Sequence, residues 1–231
     1  MKPSILCGQV GTDAQSDIDH TLALMREMQV VETPNPILRV YAPRPTVAFS
    51  RRESLMPSFE AAREAARHHG FAPVIRLAGG RAVAYDESCL VVDLITPSDR
   101  QTAIELVFAV VSESMRRVLV DLGVDARVGA VPGEYCAGPH SVNARGEVKL
   151  VGIAQRVTRG ARLVTASVAL GPARRLRSVV DDVYAAMSLD WDPQTFGTLA
   201  GEGLQATPEE LTRGVIAGLA VTHTEWAEPF V

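Results

Sequence analysis

Residues 73–96 read PVIRLAGGRAVAYDESCLVVDLIT. Strand-like runs at 73–76, 81–85 and 89–96 follow one another, with a Gly-Gly pair at 79–80 and no helical pattern between them. Just before this cluster, residues 58–69 (SFEAAREAARHH) have helical spacing, with Ser58 as N-cap and Gly70 as stop. Just after it, 101–122 form the longest helical pattern, with Ile104, Val107, Val111, Met115, Val118 and Leu122 on one face. Strands and helices mixed without a regular β-α-β rhythm predict an α+β fold rather than a doubly wound sheet.

The flanking sequence agrees. Apolar positions in 14–29 suit an amphipathic helix opened by Ser16 or Asp17. Pro34 and Pro36 precede a strand at 37–41, and Pro43 and Pro45 precede one at 46–50. A turn-rich stretch at 129–147 leads to strands at 148–155 and 162–170, then helices at 174–188 and 207–220. The length of 231 residues, with 47% hydrophobic and 22% charged residues, suits a single domain over 1–231. No apolar run reaches the roughly 18–20 residues that span a bilayer, and the N-terminus soon turns acidic at Asp13, Asp17 and Asp19. A cytoplasmic protein without a membrane partner is expected. A net charge of -4 argues against nucleic acid as partner. Cys7, Cys89 and Cys136 have neither metal-type spacing nor an even count, so neither a metal site nor a disulfide framework is expected.

Of 23 basic residues only Lys2 and Lys149 are lysines. Codon preference accounts for the excess of arginine, yet it leaves Lys149 as a position where a compact ammonium on a flexible stem serves and a wide guanidinium does not. In Lys149-Leu150-Val151-Gly152-Ile153-Ala154-Gln155-Arg156, Gly152 and Ala154 leave space on one strand face for that ammonium to enter a pocket and neutralise a carbonyl or phosphate oxygen. A strand-start lysine facing water is the alternative. In Arg76–Asp86, Gly79 and Gly80 allow close backbone approach to a ligand, and Arg76 and Arg81 suit a carboxylate or phosphate. The plainer reading is a hairpin turn with solvated arginines. The Gly/Pro-rich stretch 132–141 holds Cys136 and His140, either a nucleophilic pair or a structured loop with an inert thiol.

Taken in order, Arg76–Gly80 and Lys149–Ala154 resemble the biotin/lipoate protein ligase and octanoyltransferase superfamily. The likeness is greatest to its octanoyl amidotransferase branch, through Ala82-Val83, Asp86, the Tyr135-Cys136-x-Gly138 loop and Gly152-Ile153-x-Gln155-Arg156. It covers roughly residues 35–200. It implies a mixed β-sheet flanked by helices, like the catalytic core of class II aminoacyl-tRNA synthetases and biotin synthetases. It implies Lys149 as the catalytic lysine, with Arg76, Gly79, Gly80, Arg81, Tyr85, Gly152, Ala154 and Gln155 around an acyl group or its adenylate. The sequence departs from the family at Arg81, where ligases have a third Gly, and at Tyr85, where they have His. It also departs at Ala169, the position counted for a transferase's nucleophilic Cys; Cys136 is the remaining candidate thiol. The ligases' C-terminal accessory domain has no counterpart before Val231.

The resulting expectation is a lipoate-protein ligase-like enzyme. It would activate lipoate or octanoate with ATP and Mg²⁺ to an acyl-adenylate and pass the acyl group to a lysine of a lipoyl carrier domain, as in a 2-oxoacid dehydrogenase E2 or the glycine-cleavage H protein, with an accessory subunit as further partner. The alternatives are carrier-to-carrier octanoyl transfer without ATP and a non-catalytic acyl-binding homologue.

Overall fold

A computed structural model describes residues 3–32, 35–98 and 102–226. Lys2, Pro34 and Gln101, used above, lie outside them. The elements in order are β1 (Ser4–Cys7), α1 (Ala14–Val30), β2 (Ile37–Tyr41), β3 (Thr46–Ser50), α2 (Phe59–His68), β4 (Ala72–Arg76), β5 (Val83–Tyr85) and β6 (Cys89–Ser98). There follow α3 (Ile104–Asp121), β7 (Ala126–Val128), β8 (Val142–Ala144), β9 (Val148–Val157), β10 (Gly160–Ala169), α4 (Arg174–Ala186) and α5 (Pro208–Trp226).

Seven strands form a mixed sheet in the order β1-β2-β6-β10-β9-β8-β7, and three form a small sheet in the order β4-β3-β5. Only the β1–β2 pair is parallel among the named neighbours of the large sheet. Period-two alternation sorts the sides of β6. Leu90, Val92 and Leu94 join the core under α3 and α5, whereas Cys89, Val91 and Ile95 face the layer of α1, α2, α4 and the small sheet. Both faces of β6 are covered, which explains its near-continuous apolar run.

Local chemistry sets the ends of the helices. Asp13, rather than Ser16 or Asp17, caps α1, accepting from the Ser16 N–H at 2.8 Å and from its hydroxyl at 2.7 Å. Ser58 precedes α2 but makes no side-chain cap bond. Gly70 ends α2 with φ +76°, a left-handed conformation that releases the Phe71 N–H to the Ala66 carbonyl at 3.0 Å.

The Gly-Gly pair does not turn a hairpin. β4 and β5 lie on opposite sides of β3, parallel and antiparallel to it. Residues 77–82 therefore cross over the small sheet, and residues 77–80 line a cavity together with residues of β6, β9 and β10.

Candidate active site

β9 carries a bulge. Ala144 pairs with Val148 and Asn143 with Lys149, but Val142 pairs with Val151, so one residue is extra. Leu150 and Val151 consequently enter the same apolar cluster. The same shift returns Lys149 and Gly152 to a shared face, where a Cβ at Gly152 would lie 3.5 Å from Lys149 Cε.

Lys149 is 2% exposed, which removes the solvated reading. Its ammonium donates to Glu134 Oε1 at 3.2 Å, the Tyr135 carbonyl at 3.0 Å and the Cys136 carbonyl at 2.9 Å, and sits 4.7 Å from the Tyr135 ring centroid. A buried ammonium needs this set of acceptors to offset its lost hydration. Glu134 is itself buried. It also accepts from the Val131 and Gly138 N–H groups at 3.0 and 3.2 Å and from the Ser141 hydroxyl at 2.6 Å. Residues 131–141 thus wrap around one ion pair, which fixes where Cys136 points.

Cys136 has φ +45°, an uncommon conformation for a residue with a side chain. Its Sγ accepts the Arg81 N–H at 3.1 Å. A Cβ at Gly80 (φ +96°) would come within 2.9 Å of that sulfur and 3.1 Å of Arg76 Nη2. Gly80 is required both for its φ and for this space. The Arg76 guanidinium closes the crossover by donating to the Gly79 and Arg81 carbonyls, each at 2.9 Å. Buried Glu53, which the sequence reading passed over, holds the other end by accepting the Ala82 N–H at 2.8 Å.

Between the sheet face and the crossover lies a cavity of about 400 Å³, within the range of small-ligand pockets. Arg76, Gly79, Gly80 and Tyr85 line it from above, and Lys149, Gly152, Ala154, Gln155 and Cys136 line its floor and side. Arg81 lines a second, open cavity of about 880 Å³ on the other side of the crossover. Gly79, Gly80, Cys136 and Gln155 border both. The sequence-derived site residues therefore converge, with the thiol at the junction. Two polar atoms there lack partners among the described residues: Arg76 Nε and Gln155 Oε1. Ala169 lines neither cavity and packs at the end of β10 opposite Cys89.

Asp93 on the cavity floor was not foreseen. It accepts the Thr21 hydroxyl at 2.7 Å and lies 3.8 Å from Arg39, while burial pushes its carboxyl above the ordinary range despite that cation. The ring hydroxyls of Tyr85 and Tyr135 are likewise pushed up by burial, so both stay protonated. Among the described residues, no group of three His, Cys, Asp or Glu is placed to hold a metal ion, and no helix is long and apolar enough to cross a membrane.

A mixed sheet carrying a ligand cavity under a glycine crossover defines a class II synthetase-like catalytic domain. The biotin protein ligase of Aquifex aeolicus, solved with biotin and ATP, shares this fold at TM-score 0.56 and 10% identity over 98% of this chain and 72% of that one. Residues 15–184 match the lipoyl protein ligase A/B catalytic domain, and the chain belongs to that family of enzymes.

Several relatives carry the name octanoyl-GcvH:protein N-octanoyltransferase, two of them as follows. The protein of Exiguobacterium sibiricum is 29% identical over 157 residues, 68% of this chain and 57% of that protein, so the chain spans little more than half of its length. The protein of Oceanobacillus iheyensis is 25% identical over 225 residues, 92% of this chain and 79% of that protein. Lipoate-protein ligase A bound with ATP superposes at TM-score 0.73 and 22% identity, covering 97% of this chain and 86% of that one. The bi-partite lipoate protein ligase of Thermoplasma acidophilum, described with its E2 lipoyl domain, superposes at TM-score 0.70 and 22% identity, covering 96% and 84%. The structural likenesses carry the fold.

Proposed function

We propose that this enzyme moves an octanoyl or lipoyl group between lysines of carrier proteins through a thioester at Cys136. The observation that carries this reading is the Cys136 thiol at the junction of the two cavities, accepting a backbone N–H at 3.1 Å. The inner cavity takes the acyl chain and the outer one admits the lysine arm. The Cys136 thiolate attacks the carbonyl carbon of the donor's acyl-lysine amide. The C–N bond breaks, the amine leaves carrying the proton the thiol gave up, and a thioester remains. A free lysine amine of the acceptor then attacks the thioester, the C–S bond breaks, and the proton lost by that amine restores the thiol. Arg76 Nε is a spare donor for the developing oxyanion, and Gln155 Oε1 is a spare acceptor for the amine. The names of the relatives point to an H-protein-type donor.

The acyl-adenylate route with ATP and Mg²⁺ has less support. Lys149 spends its hydrogens on the loop, and the Arg81 and Ala82 amides are bonded to Cys136 and Glu53, which leaves none of the three as a spare donor for an adenylate phosphate. Intact mass spectrometry after incubation with an octanoylated carrier separates the two routes. Wild-type protein should gain one octanoyl group that hydroxylamine removes, and Cys136→Ser should gain none and lose at least about a thousandfold in transfer. Unimpaired transfer by Cys136→Ser, or modification of a carrier only when lipoate and MgATP are supplied, would return the assignment to a ligase.

A further inference from the structure

Four arginines stand around the outer cavity on three separate pieces of chain. Arg51 and Arg52 lie in the turn after β3, Arg81 in the crossover, and Arg156 near the end of β9. Arg51, Arg52 and Arg156 are exposed and Arg81 is half-buried. None of the four has a carboxylate partner among the described residues. Elsewhere Arg39, Arg44, Arg116, Arg127 and Arg145 each hold one. The acids lining the same cavity do not neutralise the rim. Glu53 and Glu134 are buried and committed to backbone N–H groups and to Lys149, and Asp190 is the exposed one. A chain with net charge -4 thus presents a cationic collar around the outer cavity that borders its thiol.

We infer that this collar is the docking face for the carrier domain, and that it recognises carboxylates flanking the carrier's acyl-bearing lysine. The inference rests on the thiol reading only for the direction in which the lysine enters. Convergent unpaired cations steer an acidic partner and fix its register. Arginine suits that task because its planar fork pairs with carboxylates in two-point contacts. A nucleotide phosphate is the other anion to consider. It would draw on backbone N–H groups as well as side chains, and the amides of Arg81 and Ala82 beside this rim are already used within the chain. The four arginines also come from three separate segments around an open cavity of about 880 Å³, as suits a protein face.

The test pairs a binding measurement with a chemical one. An octanoylated H-protein-type carrier is titrated into wild-type protein, Arg51→Glu/Arg52→Glu and Arg156→Glu at low and high salt. The same proteins are acylated by octanoyl-pantetheine thioester, a donor without a protein face. Charge reversal should weaken carrier binding by about tenfold or more at low salt. Wild type and variants should converge at high salt, and acylation of Cys136 by the small thioester should be unchanged. The inference is overturned by unchanged carrier affinity, by parallel loss of the small-thioester reaction, or by loss of ATP binding at unchanged carrier affinity. Binding does not need the thiol. Carrier capture by the collar without any hydroxylamine-sensitive adduct would sink the thioester route and keep the docking face.

Discussion

Two buried cations lie on the same face of the large sheet, and their partners differ in kind. Arg39 on β2 is 1% exposed and bonded to Asp17 Oδ1 at 2.5 Å, to the Asp17 carbonyl at 2.8 Å and to the Thr21 hydroxyl at 3.0 Å. Every one of those partners is on α1, so Arg39 fastens a helix to the sheet. Lys149 on β9 is equally buried, but its partners are a loop carboxylate and two loop carbonyls. It fastens the segment that presents Cys136. Equal burial therefore does not mean equal consequence. What matters is whether the tethered piece is scaffold or carries the reacting atom.

The largest expected effect is at Lys149. Lys149→Ala leaves Glu134 buried without its cation, which costs about 3–5 kcal/mol, and releases the loop that positions Cys136, slowing transfer by on the order of 10²–10³. Urea unfolding and transfer assays on the folded fraction measure the two separately. Loss of stability with an unimpaired rate in the folded fraction would break the contrast and make Lys149 scaffold too. Arg39→Met should cost a similar 3–5 kcal/mol by stranding Asp17, with transfer per folded molecule near wild type. A rate loss beyond the folded fraction would show that α1 shapes the cavity.

Gly80→Ala tests the loop side more gently. The added Cβ meets the Cys136 sulfur at 2.9 Å and the Arg76 guanidinium at 3.1 Å, at a φ of +96°. A cost of about 1–3 kcal/mol is expected from backbone strain, together with displacement of the thiol and therefore slower acylation of Cys136 by a small thioester. Wild-type acylation kinetics would mean that the close approach of sulfur to backbone is incidental.

Much of this site was legible beforehand. The Gly-Gly segment, the lone internal lysine and the Cys136 loop could be picked out because glycine pairs and a scarce residue type stand out locally. Their partners could not. Glu134 and Glu53 were passed over, since nothing in the sequence shows that a carboxylate turns inward to gather amides from distant segments. The β9 bulge breaks period two by one residue and is invisible without β8 beside it. The hairpin reading of Gly79-Gly80 failed because β3, far upstream, intervenes between β4 and β5. Ala169, reached by counting along the strand, packs opposite Cys89 and lines neither cavity, while the loop anchored by Lys149 holds a thiol that borders both.

The smallest predicted effect decides how far the Arg39 cluster extends. Asp93 lies 3.8 Å from Arg39, yet burial raises its carboxyl above the ordinary value of 3.8. The two observations pull in opposite directions. Burial wins because the Arg39 guanidinium directs its hydrogen bonds to Asp17 and Thr21. With the folded value above the unfolded one, the folded protein holds this proton more tightly. The stability contributed by Asp93 is then fully present below the unfolded value and is lost as pH rises through the folded one. Asp93→Asn removes that slope. Urea midpoints compared from about pH 4 to about pH 7 should show the Asn variant gaining on wild type as pH rises. The opposite trend, with wild type gaining, would mean that Arg39 prevails and Asp93 is ionised. The acyl cavity would then have a charged floor belonging to the same buried ion network that fastens α1, and scaffold and site would be one electrostatic unit.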